Sequence, residues 1–171
     1  KLQRFVGAKF ADKIITLTQE DRRSYIKKYG ISEEKIAYIY NWKEDGLSNV
    51  AYNDESAKIV TVGRFDYQKG YDYLVRVAKK VLNEKSDWTW EIYGSGNKDE
   101  VDKIRDFIKV NDLQDKLFIK GLEKNQDLIY GDKGIYVMTS RYEGLPLVLL
   151  EAQQYKLPIV SFRCPTGPSE I

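Results

Sequence analysis

The chain has no histidine in 171 residues, which removes imidazole general bases, histidine-ligated metal sites and a serine, histidine and aspartate triad from the chemistry open to it. Its single cysteine, Cys164, has no internal disulfide partner, and with no imidazole to activate it the thiol reads as inert. There is no apolar run long enough to span a bilayer and no signal-peptide pattern, so a reducing cytoplasm is the expected compartment. An excess of one charge is also lacking. The 28 Lys and Arg stand against 26 Asp and Glu, a net charge of +2, so bulk electrostatics give no reason to expect a nucleic-acid or membrane partner. Any cation that matters must therefore be placed locally. What is present is a 42% apolar fraction, which at this length suffices for one ordinary core, with or without a piece of a second domain.

From Lys58 onward the pattern is regular. Five extended apolar runs, at 58–62, 88–93, 116–119, 134–138 and 158–161, alternate with helical spacing. Leu74, Val77, Ala78, Val81 and Leu82 form one helical stripe; Val101, Ile104, Phe107 and Ile108 form another. Shorter helices are expected over 125–130 and 147–155. Strands alternating with helices imply an α/β fold built on a parallel sheet with right-handed crossovers. Before this region, 14–18 reads as a strand and 20–29 as a helix, with Thr18 and Asp21 as its cap and Gly30 as its stop. A further extended run covers 36–40. Residues 2–10 have helix-like spacing without a clean start, and 41–56, polar and aperiodic around Gly46, reads as a linker.

Ligands of such sheets bind beyond the carboxyl ends of the strands, so the strand exits are where chemistry is expected. The first exit is Gly63-Arg64-Phe65-Asp66-Tyr67-Gln68-Lys69-Gly70. The second is Gly94-Ser95-Gly96, the third Lys120-Gly121, and the fifth runs from Phe162 to Glu170. Glycines at these points permit close backbone approach, although Gly94-Ser95-Gly96 lacks the third glycine of a dinucleotide fingerprint and alone reads as a turn. Charge statistics alone make Arg64 and Lys69 solvated loop residues. Their position, between a buried strand and a glycine that opens a helix, suits a diphosphate instead, with a fork from Arg64 and a point charge from Lys69.

The fourth exit is the densest stretch, Ser140-Arg141-Tyr142-Glu143-Gly144-Leu145-Pro146-Leu147-Val148-Leu149-Leu150-Glu151. Gly144 is expected to free the backbone for a tight turn, and Pro146 to sit in the first helical turn, whose free N–H groups and dipole attract anions. Glu143 and Glu151 flank that helix start. At 1.5 Å per helical residue they lie roughly 12 Å apart or less. That exceeds the separation of about 5–5.5 Å that a retaining glycosidase pair needs, but suits gripping two ends of an extended ligand. Carboxylates accept paired hydrogen bonds from vicinal hydroxyls, so a ribose and a hexose on either side of a diphosphate form a coherent pair of guests.

Val62-Gly63-Arg64 with Gln68-Lys69-Gly70, the stretch from Ser140 to Ala152, and Cys164-Pro165-Thr166-Gly167-Pro168-Ser169-Glu170 together resemble glycosyltransferase family 4, retaining nucleotide-sugar enzymes of the GT-B fold. The resemblance implies a Rossmann-like parallel sheet with helices on both faces, the C-terminal half of a GT-B fold. Residues 1–45 would be the end of an N-terminal domain and its hinge segment, 46–57 a linker, and 58–171 a donor domain shortened at its C-terminus. Glu143 would hold hydroxyls of the transferred sugar and Glu151 the ribose. Arg64 and Lys69 would hold the diphosphate, aided by the amides of Gly144 and Leu145, with Gly63, Gly94 and Gly121 lining the donor site and Glu143, Arg64 and Lys69 carrying catalysis.

By the same resemblance, the substrate is a UDP- or GDP-linked sugar, no cofactor or metal is required, and transfer follows front-face displacement. The acceptor, a glycan or lipid-linked sugar, would be held by an N-terminal domain lying outside this chain, which is expected to be inactive alone. Work on cell-surface polysaccharide at the inner face of the membrane, with peripheral contact, fits that acceptor class. A non-catalytic nucleotide-binding or interaction module is the alternative. A nicotinamide-dependent oxidoreductase fits the strand and helix alternation but lacks the glycine fingerprint.

Overall fold

The structure, a computed structural model, describes residues 7, 8, 10–43 and 48–171. The expected helical spacing of 2–10 and the centre of the expected linker, with Gly46, fall largely outside those residues. A small unit comes first. Strand β1 (Ile14–Thr16) pairs in parallel with β2 (Ile36–Tyr38) through helix α1 (Gln19–Tyr29). The side chain of Thr18 accepts the Asp21 N–H at 3.0 Å, and Gly30 ends the helix in the left-handed region at φ 62°, as the cap and stop signals predict.

The larger unit is a five-stranded parallel sheet. Its elements in chain order are β3 (Lys58–Val62), α2 (Tyr71–Glu84), β4 (Thr89–Tyr93), α3 (Lys98–Val110), β5 (Leu117–Gly121), α4 (Gln126–Tyr130), β6 (Ile135–Met138), α5 (Leu147–Gln154) and β7 (Ile159–Ser161). Spatial order is β5-β4-β3-β6-β7, every pair parallel. The chain thus winds outward from β3 in one direction and then, at β6, starts again from the centre in the other.

Side-chain alternation explains why both faces are covered. Ile59, Trp90, Ile92 and Val137 point to one face, where Leu74, Val75, Ala78 and Leu82 of α2 and Ile104 and Ile108 of α3 meet them. Val60, Tyr93, Tyr136 and Met138 point to the other, against Ile129 and Tyr130 of α4 and Leu149 and Ala152 of α5. Each fully buried aliphatic or aromatic side chain in these layers contributes about 1.5–3 kcal/mol relative to exposure. Most polar groups inside are satisfied locally, Ser140 Oγ being a buried exception among the described residues. The indole N–H of Trp90 donates to the Thr61 hydroxyl at 3.0 Å, which in turn donates to the Val137 carbonyl at 2.7 Å.

The segment that reads as a linker is pinned at several points. Val50 and Tyr52 pack against the second core, Ser48 N–H donates to the Gln154 carbonyl at 2.8 Å, and the Asn41 side chain donates to the Leu145 carbonyl at 2.9 Å. At the other end of the sequence, both oxygens of Glu170 sit on the start of α1. They accept the N–H groups of Gln19 at 2.8 Å and Glu20 at 2.9 Å, with the Tyr40 hydroxyl at 3.0 Å. Partial burial pushes the Glu170 carboxyl up, but these donors more than offset it and hold its pKa below the ordinary glutamate value. Among the described residues, no helix is long and apolar enough to cross a membrane.

Candidate functional site

The reversal of winding at β3 and β6 leaves a crevice beyond their carboxyl ends, where the loops following these two neighbouring strands lie side by side. The first carries Arg64 and Lys69, the second Glu143. In the first loop, Phe65 is buried and its N–H donates to the Ser95 carbonyl at 3.0 Å, extending the β3–β4 ladder past the strands. Asp66 caps a 3-10 turn, Tyr67–Lys69, by accepting the Lys69 N–H at 3.2 Å. Gly70 then turns the chain into α2 at φ 66°, where a Cβ would lie 2.3 Å from the Thr139 carbonyl oxygen.

The turn aims Lys69 across Gly63. A Cβ at Gly63 would meet the Lys69 stem at 3.1 Å, so the glycine leaves the lane along which that stem runs. At its end, Nζ lies 2.7 Å from Oε1 of Glu143, and both side chains are largely buried, at 15% and 8% exposure. Gln68 completes the carboxylate's surroundings, with Nε2 3.3 Å from Oε2 and 2.9 Å from the Tyr142 carbonyl. Lys69 and Glu143, 74 residues apart, therefore form one polar centre. Arg64 does not join it. Its side chain is 74% exposed and pairs with Asp66 at 3.2 Å.

Two local expectations change. Gly144 does not adopt a left-handed backbone. A Cβ there would meet the tip of the Leu17 side chain, Cδ1, at 3.2 Å. The left-handed glycine is Gly167, at φ 94°, where a Cβ would lie 2.2 Å from the Gly144 carbonyl oxygen. The loop after β7 thus packs directly on the Glu143 loop, and the Thr166 hydroxyl donates to the Glu143 carbonyl. Pro146 precedes α5 as its N-cap, with ψ 111°, rather than lying in the first turn, so Leu147 is the first helical residue.

Glu151 sits in α5 with the Tyr130 hydroxyl donating to Oε2 at 2.7 Å. Burial, then the neighbouring Tyr136 and the Glu151 charge, push the Tyr130 phenol well up, so it stays a neutral donor. Lys43 stands 3.7 Å from Oε1 and donates to Gln126 at 2.8 Å. Further along the rim, Gly94 has φ 151° and a Cβ there would lie 1.9 Å from the Gly63 carbonyl oxygen; its N–H donates to Gly121 at 2.8 Å. Gly121, at φ 80°, faces open space. Cys164 is buried near this loop. Burial, then the Glu143 charge, push its thiol pKa up, away from nucleophilic use.

The arrangement offers a buried cation beside a carboxylate, a helix start next to them, and a second carboxylate one helix turn or more beyond. Among the described residues, no group of three or more His, Cys, Asp or Glu could hold a metal ion. Several contributors escaped sequence reading. Lys43 lies in a stretch without periodicity, and nothing in the sequence brings it to Glu151, 108 positions on. Tyr130 likewise reaches the site only through tertiary packing, whereas Thr166 lies in a strand exit the sequence marks, without its partner being legible.

The sequence profile described as glycosyl transferases group 1 matches residues 44–171. The amylovoran biosynthesis glycosyltransferase AmsD of Erwinia amylovora is 33% identical over 168 residues, covering 94% of this chain and 46% of its own. A mutant of S. aureus TarM in complex with fondaparinux, alpha-GlcNAc-glycerol and UDP superposes with a TM-score of 0.87 at 28% identity, over 97% of this chain and 33% of TarM. The pneumococcal O-GlcNAc transferase GtfA in complex with UDP and GlcNAc gives 0.83 at 25% identity, over 98% and 33%. The chain spans about half the length of the curated relatives it matches.

Proposed function

The chain belongs to the glycosyl transferases of group 1, with the Rossmann-like sheet of the GT-B fold, and from that premise we propose that it is the donor-binding part of a retaining, family 4 hexosyltransferase using a UDP-linked sugar. The observation that carries this reading is the Lys69–Glu143 centre at the reversal of the sheet, 2.7 Å across, with Glu151 beyond the start of α5. In this reading Glu143 accepts hydrogen bonds from hexose hydroxyls, Lys69 and Arg64 face the diphosphate, and Glu151, oriented by Tyr130, takes the ribose. The amides of Gly144 and Leu145, just before α5, add phosphate contacts. Uridine is favoured over guanosine because TarM and GtfA are both described with UDP.

Transfer breaks the bond between the anomeric carbon and the β-phosphate oxygen and forms one to the acceptor oxygen on the same face. The acceptor's proton passes to the departing phosphate oxygen. Negative charge grows on the diphosphate as that bond opens, and fixed cations there favour the transition state more than the ground state. Lys69 and Arg64 supply the charge, so the reaction as proposed needs no metal or cofactor from this chain. The acceptor, a glycan or lipid-linked sugar of a cell-surface polysaccharide, would be presented by further sequence of the full enzyme at the cytoplasmic membrane face.

A thermal-shift screen over UDP-, GDP- and ADP-linked hexoses tests this. A donor present at 100 times its Kd stabilises by about 2.7 kcal/mol. For a chain of this size that raises Tm by roughly 5–10 °C. The proposal expects the UDP-linked series to do so. No shift with any of the three would contradict it, and a shift with nucleotide but no transfer by the full-length enzyme across an acceptor panel would favour a non-catalytic binding module.

A further inference from the structure

Arg141 lies inside the stretch from Ser140 to Glu151 yet has no role in the reading above. Its guanidinium is consumed by protein contacts. Nη1 donates to the Tyr67 carbonyl at 2.9 Å and to Asp72 Oδ1 at 2.9 Å, while Nη2 donates to Asp72 Oδ2 at 2.7 Å. The guanidinium lies over two rings, Tyr67 at 4.0 Å and Tyr73 at 4.4 Å, and Phe162 packs against Tyr73 at 5.7 Å. The side chain is 16% exposed. A fork on a carboxylate over two aromatic rings is an arrangement only a guanidinium fills.

What this stack holds is the turn that carries Lys69. The carbonyls of four successive residues, 67 to 70, are met by the loop after β6. Tyr67 O accepts from the Arg141 side chain, Gln68 O from the Arg141 N–H at 2.8 Å, and Lys69 O and Gly70 O share the single proton of the Thr139 hydroxyl at 3.1 and 3.2 Å. In return Gln68 reaches Tyr142 and Glu143. An ion pair serving only to hold α2 would need the Asp72 contact alone. The bond to Tyr67 O and the ring stacked above it are specific to the turn.

We propose that Arg141 is a positioning residue that clamps the Tyr67–Lys69 turn onto the Glu143 loop and so fixes the Lys69 ammonium where a diphosphate is held. It touches no ligand itself. The inference deepens the proposed donor site and its ligand arm rests on that reading, but the clamp has a readout of its own.

The experiment compares wild type with Arg141→Ala and Arg141→Lys. Without ligand, amide hydrogen exchange is followed in peptides covering 66–73 and, as a fold control, in α3. Both variants should speed exchange in 66–73 by an order of magnitude or so while α3 keeps its protection, because lysine restores the charge but neither the fork nor the stack. Calorimetry with uridine and with UDP then reads the consequence. UDP affinity should fall roughly 10-fold in both variants, the scale of one weakened hydrogen bond to a charged group, with uridine affinity unchanged. Wild-type exchange at 66–73 in Arg141→Ala would overturn the clamp. So would an equal loss for uridine and UDP, which marks a general structural role, and so would full rescue by lysine. Failure of wild type to bind UDP would instead sink the donor-site reading, while the exchange measurement would still decide the clamp.

Discussion

Lys69→Met is expected to lower affinity for a nucleoside diphosphate by about 100-fold, or roughly 2.7 kcal/mol, the scale of one lost charge-assisted hydrogen bond in a partly dry site. Methionine keeps the unbranched stem that runs over Gly63 and removes only the ammonium. Two effects combine. The diphosphate loses its buried cation, and Glu143, at 8% exposure, loses the partner 2.7 Å away and retains Gln68 as its remaining side-chain donor. The second effect lowers stability without ligand by about 1–3 kcal/mol, so it is read separately from a melting curve. Lys69→Arg should recover only part of the affinity, since a guanidinium is wider than the lane Gly63 leaves. Unchanged diphosphate binding in Lys69→Met, measured by calorimetry on folded protein, would remove Lys69 from the site.

The second large effect is on the fold. Gly94→Ala places a Cβ 1.9 Å from the Gly63 carbonyl oxygen, a backbone atom that cannot move alone. Gly63 N–H donates to the Tyr93 carbonyl at 3.0 Å and Phe65 N–H to Ser95 at 3.0 Å, so the clash sits within the ladder that continues β3 and β4 beyond the sheet. Overpacking and backbone strain together are expected to cost about 3 kcal/mol or more. That lowers Tm by roughly 6–12 °C. Gly121→Ala is the control. At φ 80° it carries the left-handed penalty of about 1–2 kcal/mol, but nothing lies within 4 Å of its Cβ. Comparable melting losses in the two variants would mean that the crossing of Gly94 over Gly63 is not what matters.

These residues also mark what the sequence discloses. Helices α2 and α3 are legible because their apolar residues recur on one face, and the strands because short apolar runs punctuate them at a regular interval; the observed bounds differ by a residue or two where ends fray. The parallel sheet and the gathering of chemistry at its strand exits follow from the alternation, but the strand order and the direct contact of Lys69 with Glu143 do not. Local pattern stops there. Gly144 reads as a turn residue, yet its backbone is not left-handed and Gly167, far along the chain, takes the strained position against it. Lys43 reads as linker and lies against Glu151; Glu170 reads as part of a loop and caps α1, across 150 residues. Arg141 reads as one more charge, though its guanidinium donates to the Tyr67 carbonyl of the turn and to Asp72 of α2. Such pairings between distant segments depend on three-dimensional closure, which periodicity and propensity do not encode.

The most direct test of the donor-site reading is calorimetry of UDP and the intact UDP-sugar against Glu143→Ala and Glu151→Ala. If Glu151 holds the ribose, its variant loses affinity for UDP and the intact donor alike, because both contain that ribose. If Glu143 holds the hexose, its variant loses affinity chiefly for the intact donor, with UDP much less affected. Equal losses for both ligands in both variants would contradict the assignment of the two carboxylates to opposite ends of one extended donor.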